Sequence, residues 1–484
     1  MKIEPLRSYK PKDFALLTPG NKCLYVETKW GKQLFTGKRD VDSALNKLSG
    51  FTCYVSSGLE RLKNTTSARE WVLTTWRGKG VKMKHVPTGL SVTSLRSCLE
   101  GSDDPFRDLN ETLTWLRQYG IPPASISSMS WKLLRASLAG TVTVGFDPSI
   151  SEAAFFGGRQ ECPKPDVYKN MKSLDIRSAY PSAMSSREIA LSLRKVDPST
   201  KLDPTQSGMA RAKVYVPKSL QHPPLPVRLA EDAIQFQWGH LEGTWSWVEL
   251  DAAKKLGCDV QVTDCWAPGR TQDLFSTWWE MAQEGRSLPH GAARMAKAIA
   301  NSTWGQFAMR GNDRTEIAWA DDKGNEEYET SLPVRGLPHK YALHVAVEVT
   351  ARVRTQTLME GLYGVGGAVH VDTDGLIVPM SYKNPENFGS NFGQWQIKEN
   401  MRTLELRAPQ LYRFQREKED YIAWNYVASG MNGEMARRTF EQNDIGSSIA
   451  YLEMTDKCLP PASADDEMMM DAIHREALMF GVKI

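Results

Sequence analysis

The chain has 484 residues, of which 41% are hydrophobic and 24% charged, with a formal net charge of +3. These proportions are those of an ordinary globular protein with room for about two to four domains, and the charge alone does not indicate a nucleic-acid partner. Seven cysteines without a CxxC pair argue against a zinc ribbon or a disulfide framework. Because no signal peptide or membrane span is evident, a cytoplasmic location is expected, in the host if a phage encodes the chain.

Residues 1–150 are predicted to form a small α/β unit without a cluster of catalytic residue types. Strands are expected at 22–28 and 51–55. Helices are expected at 110–119 and 130–138, where apolar residues recur at helical spacing. The next residues, 151–174, resemble a connector, in which Phe155-Phe-Gly-Gly-Arg159 predicts a bend with flexible glycines.

A strand followed by a helix is predicted for residues 172–184. Asp175 falls near the C-terminal end of the strand, Tyr180 falls in the turn, and Pro181 occupies a first-turn position that proline tolerates. A single aspartate on a buried strand is more often structural than catalytic. Further along, a strand is predicted at 210–216, and helices at 249–256 and 274–284.

Residues 291–307 predict a helix, because alanine is frequent and no breaker precedes Gly305. Arg294, Lys297 and Asn301 share one face of it. Such a cationic stripe suits a polyphosphate, although lysines and arginines on helices usually form a solvated face. The chain then predicts a protruding hairpin at 310–337, a helix at 342–362 and strands at 404–412 and 420–431. The last fifty residues are expected to be helical or irregular, with a break at Pro460-Pro461.

The segment 368–379 predicts a β-hairpin with two carboxylates, Asp372 and Asp374, at its tip. Val371 ends one apolar arm, and Asp374-Gly375 favours a tight turn. Charges this close on an apolar hairpin require a compensating cation, and their hard oxygen ligands suit Mg²⁺. An ordinary surface turn is the alternative. A calcium loop is disfavoured because the position that would need a Glu is not acidic.

Three motifs follow one another in a fixed order: Asp175-x-x-Ser-x-Tyr-Pro, Lys297-x-x-x-Asn-Ser-x-Trp-Gly and Asp372-Thr-Asp. Together they resemble the family B DNA polymerases. The protein-primed branch of small phages and linear elements is more similar still. Phe155-Phe-Gly-Gly resembles its Tyr-x-Gly-Gly connector, residues 308–340 add a segment that ordinary members lack, and Ala428-Ser-Gly-Met with Thr439-Phe-Glu resembles its passage from palm to thumb. The resemblance covers about residues 151–450.

The resemblance implies an α+β fold in the right-hand polymerase architecture of palm, fingers and thumb, with a small N-terminal α/β exonuclease-like domain. It implies a monomeric, template-directed DNA polymerase that binds a DNA primer-template and dNTPs, with a terminal protein as a further candidate partner and no membrane. The implied domains are a degenerate exonuclease-like unit at 1–150, palm with connector and insertion at 151–267, fingers at 268–307, a protruding insertion hairpin at 308–340, palm at 341–430 and thumb at 431–484.

Specific roles are also implied by the resemblance. Asp175, Ile176 and Asp374 would contact two Mg²⁺ ions, for which Mn²⁺ can substitute, and Asp372 would support them; polymerases are a standard example of two-metal catalysis. The implied nucleotide-binding residues are Tyr180, Arg286, Lys297, Asn301 and Trp304, and Tyr180 would exclude a 2′-hydroxyl. The implied DNA-binding residues are Phe156, Gly157, Gly158, Arg352, Gln410 and Tyr412.

This sequence departs from the family pattern at several positions. Trp304 replaces a Tyr, Gly375 replaces a Ser, and Gln410 replaces a Lys two residues before Tyr412. The nearest match to the exonuclease motif Asp-x-Glu is Tyr25-Val-Glu27, which lacks the Asp, and the remaining candidate acids cluster at one end of the domain: Asp103, Asp104 and Asp108. A vestigial domain without proofreading is therefore expected.

Three hypotheses about activity stay open at this point. The first is a primer-extending DNA polymerase, which is also a candidate for strand displacement because of its 308–340 insertion. The second is a primase-like, self-priming polymerase. The third is a non-catalytic, nucleic-acid-binding polymerase shell, against which the retained carboxylates and the Lys297–Asn301 pair argue.

Overall fold

The structure of this protein is a computed structural model. It describes residues 2–3, 6, 13–20, 23–48, 51–55, 59–76, 79–88, 90–99, 102–145, 148–229, 234–308, 314–319, 327–331, 342–417, 423–428, 433–441 and 458–463. The Ser429-Gly-Met motif, much of the expected thumb and parts of the 308–340 insertion lie outside the described residues. Among the described helices, none combines the length and apolarity needed to cross a bilayer.

The described α-helices are α1 Lys38–Lys47, α2 Arg96–Leu99, α3 Pro105–Gln118, α4 Ile126–Ser137, α5 Pro148–Ala154, α6 Ala179–Ser185, α7 Trp247–Lys255, α8 Ser276–Arg286, α9 His290–Phe307, α10 Leu343–Gln356 and α11 Gly433–Glu441. A π-helical turn, Thr357–Tyr363, continues α10. Two 3₁₀ helices span Leu59–Asn64 and Ala68–Glu70.

The described strands are β1 Lys2–Ile3, β2 Phe14–Gly20, β3 Cys23–Thr28, β4 Gly31–Thr36, β5 Thr52–Val55, β6 Trp71–Trp76, β7 Lys79–His85, β8 Ser91–Ser94, β9 Val142–Thr143, β10 Gln160–Glu161, β11 Val167–Ile176, β12 Ile189–Ala190, β13 Leu193–Val196, β14 Met209–Val216, β15 Pro226–Arg228, β16 Ile234–Ser246, β17 Asp259–Pro268, β18 Thr271–Gln272, β19 Arg314–Trp319, β20 Glu327–Ser331, β21 His370–Asp372, β22 Gly375–Pro379, β23 Trp395–Ala408, β24 Leu411–Arg416, β25 Asn425–Ala428 and β26 Cys458–Ser463.

The chain divides into two compact units, each made of two separate segments. The first unit contains residues 1–144 and 274–342, and the second contains 145–273 and 343–484. The N-terminal residues, the predicted fingers helices and the predicted insertion therefore belong to one compact unit. The subdomain boundaries expected from the sequence follow a different division, so they stay a proposal.

The first unit is built on a nine-stranded sheet in the order β20-β19-β6-β7-β8-β5-β2-β3-β4. The strands β2, β5 and β8 pair in parallel. The strands β19 and β20 form an antiparallel hairpin, and β19 pairs with β6. The insertion was expected to protrude, yet its described strands extend this sheet, because edge strands offer unpaired backbone groups to a new strand.

Helices α3, α4 and α8 pack against α9 in the same unit. The helix α3 begins five residues before the predicted Asn110. The N–H of Arg107 donates to Oδ1 of Asp104 (3.0 Å), and Pro105 occupies the first turn. Both are helix-start signals, and the apolar spacing used for the prediction does not register them.

The second unit contains the sheet that positions the candidate site, a seven-stranded sheet in the order β10-β21-β22-β11-β23-β24-β25. A six-stranded sheet pairs β13, β17, β14, β16 and β15 in that order, with β26 added in parallel to β16. Between the sheets and α10 lie apolar clusters around Trp245 and Trp395, both of which are fully buried.

Several sequence expectations in the second unit need correction. The predicted strand at 404–412 is two strands, β23 and β24, because Gln410 has a φ of 54° and forms a turn with Pro409. The prolines at 460 and 461 lie within β26 rather than in a break, and the register with β16 shifts there, as expected for prolines that donate no hydrogen bond. The Phe155–Arg159 connector buries Arg159, which is 1% exposed, instead of forming a flexible bend.

Candidate active site

Three neighbouring strands bring the acidic residues together at the end of the seven-stranded sheet. Asp175 is the second-last residue of β11 and lies opposite Gly375 on β22. Asp372 ends β21 and also pairs with Gly375. Asp374 lies in the turn between them, and its carbonyl accepts a hydrogen bond from the N–H of Ile176 (2.9 Å). The apolar arms beneath belong to the buried core, so the turn is fixed on a rigid base.

The charges at this turn are poorly balanced within the protein. The pKa of Asp374 is raised to about 7 by its burial and by the negative charges of Asp175 and Asp372, against an opposing effect of Lys398. The Nζ atom of Lys398 lies 3.7 Å from Oδ1 of Asp175. No sequence motif indicated Lys398, which reaches the site because β23 pairs with β11.

Asp372 has a neutral partner. The side-chain amide of Gln410 donates to its Oδ1 (2.6 Å), and the backbone N–H of Gln410 lies 3.2 Å from Nε2 of the buried His370. The His370 ring packs edge to face against Tyr412, with centroids 5.2 Å apart. Burial, followed by the charge of Asp372, raises the pKa of Tyr412. The structure therefore places Gln410 and Tyr412, both expected at the primer, beside the carboxylates.

Tyr180 also lies close enough to Asp374 and Asp372 for their negative charges to affect its pKa. It is the second residue of α6, whose N-cap Ser178 has a left-handed φ of 55°. Burial, followed by the charge of Asp374, raises the pKa of the Tyr180 phenol. The strand-to-helix turn predicted from Pro181 thus places the Tyr180 ring near Asp372 and Asp374.

Comparisons with known proteins agree with this fold. Phi29 DNA polymerase in complex with primer-template DNA and incoming nucleotide has 12% sequence identity, a TM-score of 0.66, and coverage of 90% of this chain and 95% of that chain. Phi29 DNA polymerase in complex with single-stranded DNA has 13% sequence identity, a TM-score of 0.63, and coverage of 90% of this chain and 95% of that chain. At this identity the likeness establishes the fold. No curated protein sequence matches. The model of organellar and viral type B DNA polymerases matches residues 125–335. This part of the chain is therefore similar to the type B DNA polymerases.

Within the described ranges, no three His, Cys, Asp or Glu side chains lie at metal-ligand spacing. Asp175 and Asp374 are nevertheless close enough for the charge of one to raise the pKa of the other. Such a pair of oxygen donors, one near the end of β11 and one in the adjacent turn, fits a divalent cation, which would relieve the repulsion between them.

The expected template contacts divide into accessible and inaccessible residues. Gly157 is exposed and Gly158 is half-buried. The side chain of Phe156 is 5% exposed and packs in the core around Trp245, so it is not available to stack on a template base. Arg352 is 9% exposed and pairs with Glu348 one helical turn away, which also disagrees with a direct DNA contact. Burial of this kind could not be read from the family motif.

The expected nucleotide-binding residues of the predicted fingers lie on two helices of the first unit. Arg286 ends α8, and α9 carries Lys297, Asn301 and Trp304. Lys297 is exposed, as the predicted cationic face requires. The Oδ1 atom of Asn301 is shielded from solvent and, among the described residues, has no hydrogen-bond partner. An unsatisfied acceptor of this kind suits a ligand that donates a hydrogen bond.

Proposed function

We propose that the polymerase adds dNTPs to a primer 3′-hydroxyl by two-metal phosphoryl transfer, with Asp175 and Asp374 as the carboxylate ligands, Ile176 beside them and Asp372 in support. The observation that supports this most is the raised pKa of Asp374, since crowded carboxylates are stable at neutral pH only when cations compensate them. When bound, two Mg²⁺ ions would activate the 3′-hydroxyl and stabilise the pyrophosphate leaving group. Mn²⁺ would serve as a substitute.

The triphosphate is the proposed ligand of α9. Lys297 and Asn301 are one helical turn apart, so both side chains reach the same side of the helix. The ammonium of Lys297 would balance phosphate charge, with Arg286 in the same role and Trp304 packing near the nascent base pair. Tyr180 would lie under the sugar and exclude a 2′-hydroxyl by contact.

DNA contacts are proposed for the residues that remain accessible. Solved phi29 polymerase complexes contain primer-template DNA, and the same partner is proposed here. Gly157 would approach the template backbone, while Tyr412 would contact the primer terminus. Gln410 cannot supply the positive charge of the family lysine, so a looser grip on the primer is expected. The palm at 151–267 and 341–430, the fingers at 268–307 and the thumb at 431–484 belong to this proposal.

We also infer that the N-terminal residues do not proofread. Tyr25 stands where a carboxylate would be needed, and Glu27 pairs with Lys32 of the neighbouring strand (3.5 Å). A labelled primer with a 3′ mismatch, incubated with Mg²⁺ and no nucleotides, should stay at full length. Steady shortening by wild type and by Glu27→Ala, but not by a mock purification, would show a nuclease that this inference misses.

Strand displacement is proposed to depend on residues 308–340. Removing the insertion while keeping a short linker should slow synthesis through duplex and spare synthesis on open template. Because β19 pairs with β6, the deletion variant needs an unchanged unfolding midpoint before its synthesis is compared. Equal rates on both templates in wild type and deletion would reject the role.

One primer-extension assay tests the main proposal. Wild type is supplied with template and a DNA primer, an RNA primer or no primer, beside the Asp374→Asn variant. We expect extension from the DNA primer only, and none by the variant. Products without any primer would favour self-priming instead. Binding of primer-template without extension would favour a non-catalytic shell. Stimulation by an added protein with a free hydroxyl would identify a terminal protein as the natural primer.

A further inference from the structure

The turn that carries the carboxylates is held by the connector that precedes β10. The N–H of Thr373 donates to the carbonyl of Arg159 (2.6 Å), and Oγ1 of Thr357 donates to the Thr373 carbonyl (3.0 Å). Gln160 of β10 pairs with Asp372. Thr373 has a φ of 59°, which a β-branched residue adopts only when its surroundings enforce it. The hydrogen bond to the Arg159 carbonyl is one of the contacts that stabilise this conformation.

Gly158 approaches this turn so closely that no side chain fits. A Cβ atom at residue 158 would lie 2.6 Å from both Oγ1 and Cγ2 of Thr373. A Cβ atom on the adjacent Gly157 would meet only Cδ1 of Ile234, at an ordinary 3.5 Å. Neither glycine has a positive φ, so the backbone at both positions accepts alanine. The two glycines therefore differ in one respect, the contact with Thr373.

The connector cannot relieve such a clash by moving away, because Arg354 anchors it. The Nη1 atom of Arg354 donates to the carbonyls of Phe156 (2.5 Å) and Gly157 (2.8 Å). The same guanidinium is held by Glu249, with Nε to Oε1 at 3.0 Å. All of these side chains are buried.

Arg159 is anchored just as firmly on the other side of Gly158. Its guanidinium pairs with Glu161 (2.9 Å), lies 4.1 Å from the ring centroid of Phe236, and donates to the carbonyl of Pro223 (2.9 Å). A clash at residue 158 is therefore transmitted to the Asp372–Asp374 turn.

We propose that Gly158 and Arg159 are positioning residues for the catalytic turn, a role that rests on the proposed function of Asp374. Gly158 allows the close approach, and the Arg159 carbonyl fixes Thr373 so that the flanking carboxylates keep their places. In the family resemblance both glycines belong to one template-contacting motif. The structure assigns them different tasks, with Gly157 open to a ligand and Gly158 committed to the turn.

The test is a double-mutant cycle with Gly158→Ala, Thr373→Gly and their combination. Gly140→Ala is the matched control, because a Cβ atom added there would meet nothing within 4 Å. Glycine at 373 removes every clashing atom and accepts the positive φ. We expect Gly158→Ala to lower kcat about 10- to 100-fold at saturating primer-template and dNTP, with an unchanged Kd for DNA. The loss should be much smaller when Thr373→Gly is already present, and Gly140→Ala should leave kcat unchanged.

Mn²⁺ binding to the DNA-free protein, followed by electron paramagnetic resonance, gives a second readout. Gly158→Ala should weaken it several-fold, and Thr373→Gly should again reduce the effect. If wild type extends no primer, the proposed function fails and this cycle still decides the positioning role. Equal losses in Gly140→Ala and Gly158→Ala, or a loss that Thr373→Gly does not diminish in either readout, would overturn the proposal. The proposal would also be overturned if Thr373→Gly reduced the effect of Gly158→Ala only on the urea unfolding midpoint, because the contact would then serve packing alone.

Discussion

Two regions of this protein, the acidic turn of the seven-stranded sheet and the strand that carries Glu27, differ in how charge is balanced. At the end of the seven-stranded sheet, Asp175, Asp372 and Asp374 crowd together, and the pKa of Asp374 rises to about 7. On β3 of the first unit, Glu27 faces Lys32 across the hairpin, with side chains 29% and 58% exposed. A cluster that its own chain compensates only in part favours external cations, whereas a neutralised surface pair does not. Charge balance therefore distinguishes the proposed metal site from the N-terminal region that is expected to lack proofreading.

The largest expected effect comes from removing one carboxylate at each place. Asp175→Asn should lower the rate of primer extension by about 10³-fold or more, because the developing phosphoryl charge loses its preorganised cations. Glu27→Gln, the matched change in the first unit, should leave the rate as in wild type. Single-turnover extension of a labelled primer measures both. Equal rates in Asp175→Asn and Glu27→Gln would contradict the proposed difference between the two regions.

A smaller effect is expected at Tyr180. Tyr180→Ala opens space beside Asp374, so discrimination against ribonucleotides should fall about 10- to 100-fold, in the range expected for rejecting one hydroxyl. The readout is kcat/KM for dCTP against CTP on one template. Tyr25→Ala, on the exposed face of β3, serves as control and should not alter the ratio. Unchanged discrimination in Tyr180→Ala would remove this residue from the sugar site.

The pH dependence of stability should also differ between the two regions. Between the unfolded pKa of 3.8 and the folded value of about 7, the folded protein retains a proton on Asp374 that the unfolded chain releases. The free energy of unfolding should therefore fall as pH rises through this range and become level above it. Asp374→Asn should remove that slope and, allowing for partial exposure, stabilise the metal-free protein at pH 8 by about 1–3 kcal/mol.

Urea unfolding in EDTA at pH 5 and pH 8 tests this, with Glu27→Gln as the control that keeps the wild-type slope. Adding Mg²⁺ at pH 8 should stabilise wild type more than Asp374→Asn. A variant that retains the full slope would assign the pH dependence to other groups.

The smallest effect is expected for the surface pair itself. Lys32→Ala should change the free energy of unfolding by less than about 0.5 kcal/mol, because exposed ion pairs contribute little. It should also fail to create any shortening of a mismatched primer, since Tyr25 supplies no second carboxylate. Nuclease activity in Lys32→Ala would mean that the pair masks a working site.

Local patterns predicted the catalytic hairpin well. The alternation of apolar residues places its two strands within a few residues, and Pro181 marks the start of α6. The turn dipeptide was wrong: the turn is Thr373-Asp374, Thr373 has the positive φ, and Gly375 already belongs to β22. Lys398 and the Gln410–Asp372 contact could not be predicted, because they depend on how β23 and β24 pair with distant strands. The burial of Phe156 and Arg352 was missed for a similar reason, since a motif gives residue type without giving the side it faces. The position of β19 beside β6 joins residues more than two hundred apart, which no local pattern contains.

That pairing has a consequence for how the chain is made. On the ribosome, the first 144 residues emerge without β19, β20, α8 or α9, so the nascent sheet ends at an open β6 edge. The whole first segment of the second unit, residues 145–273, is synthesised before those partners arrive. An exposed edge strand during such a delay invites self-association. A fragment ending near residue 150 is thus a poor choice for expression, and chaperone demand should peak before residue 331 is translated.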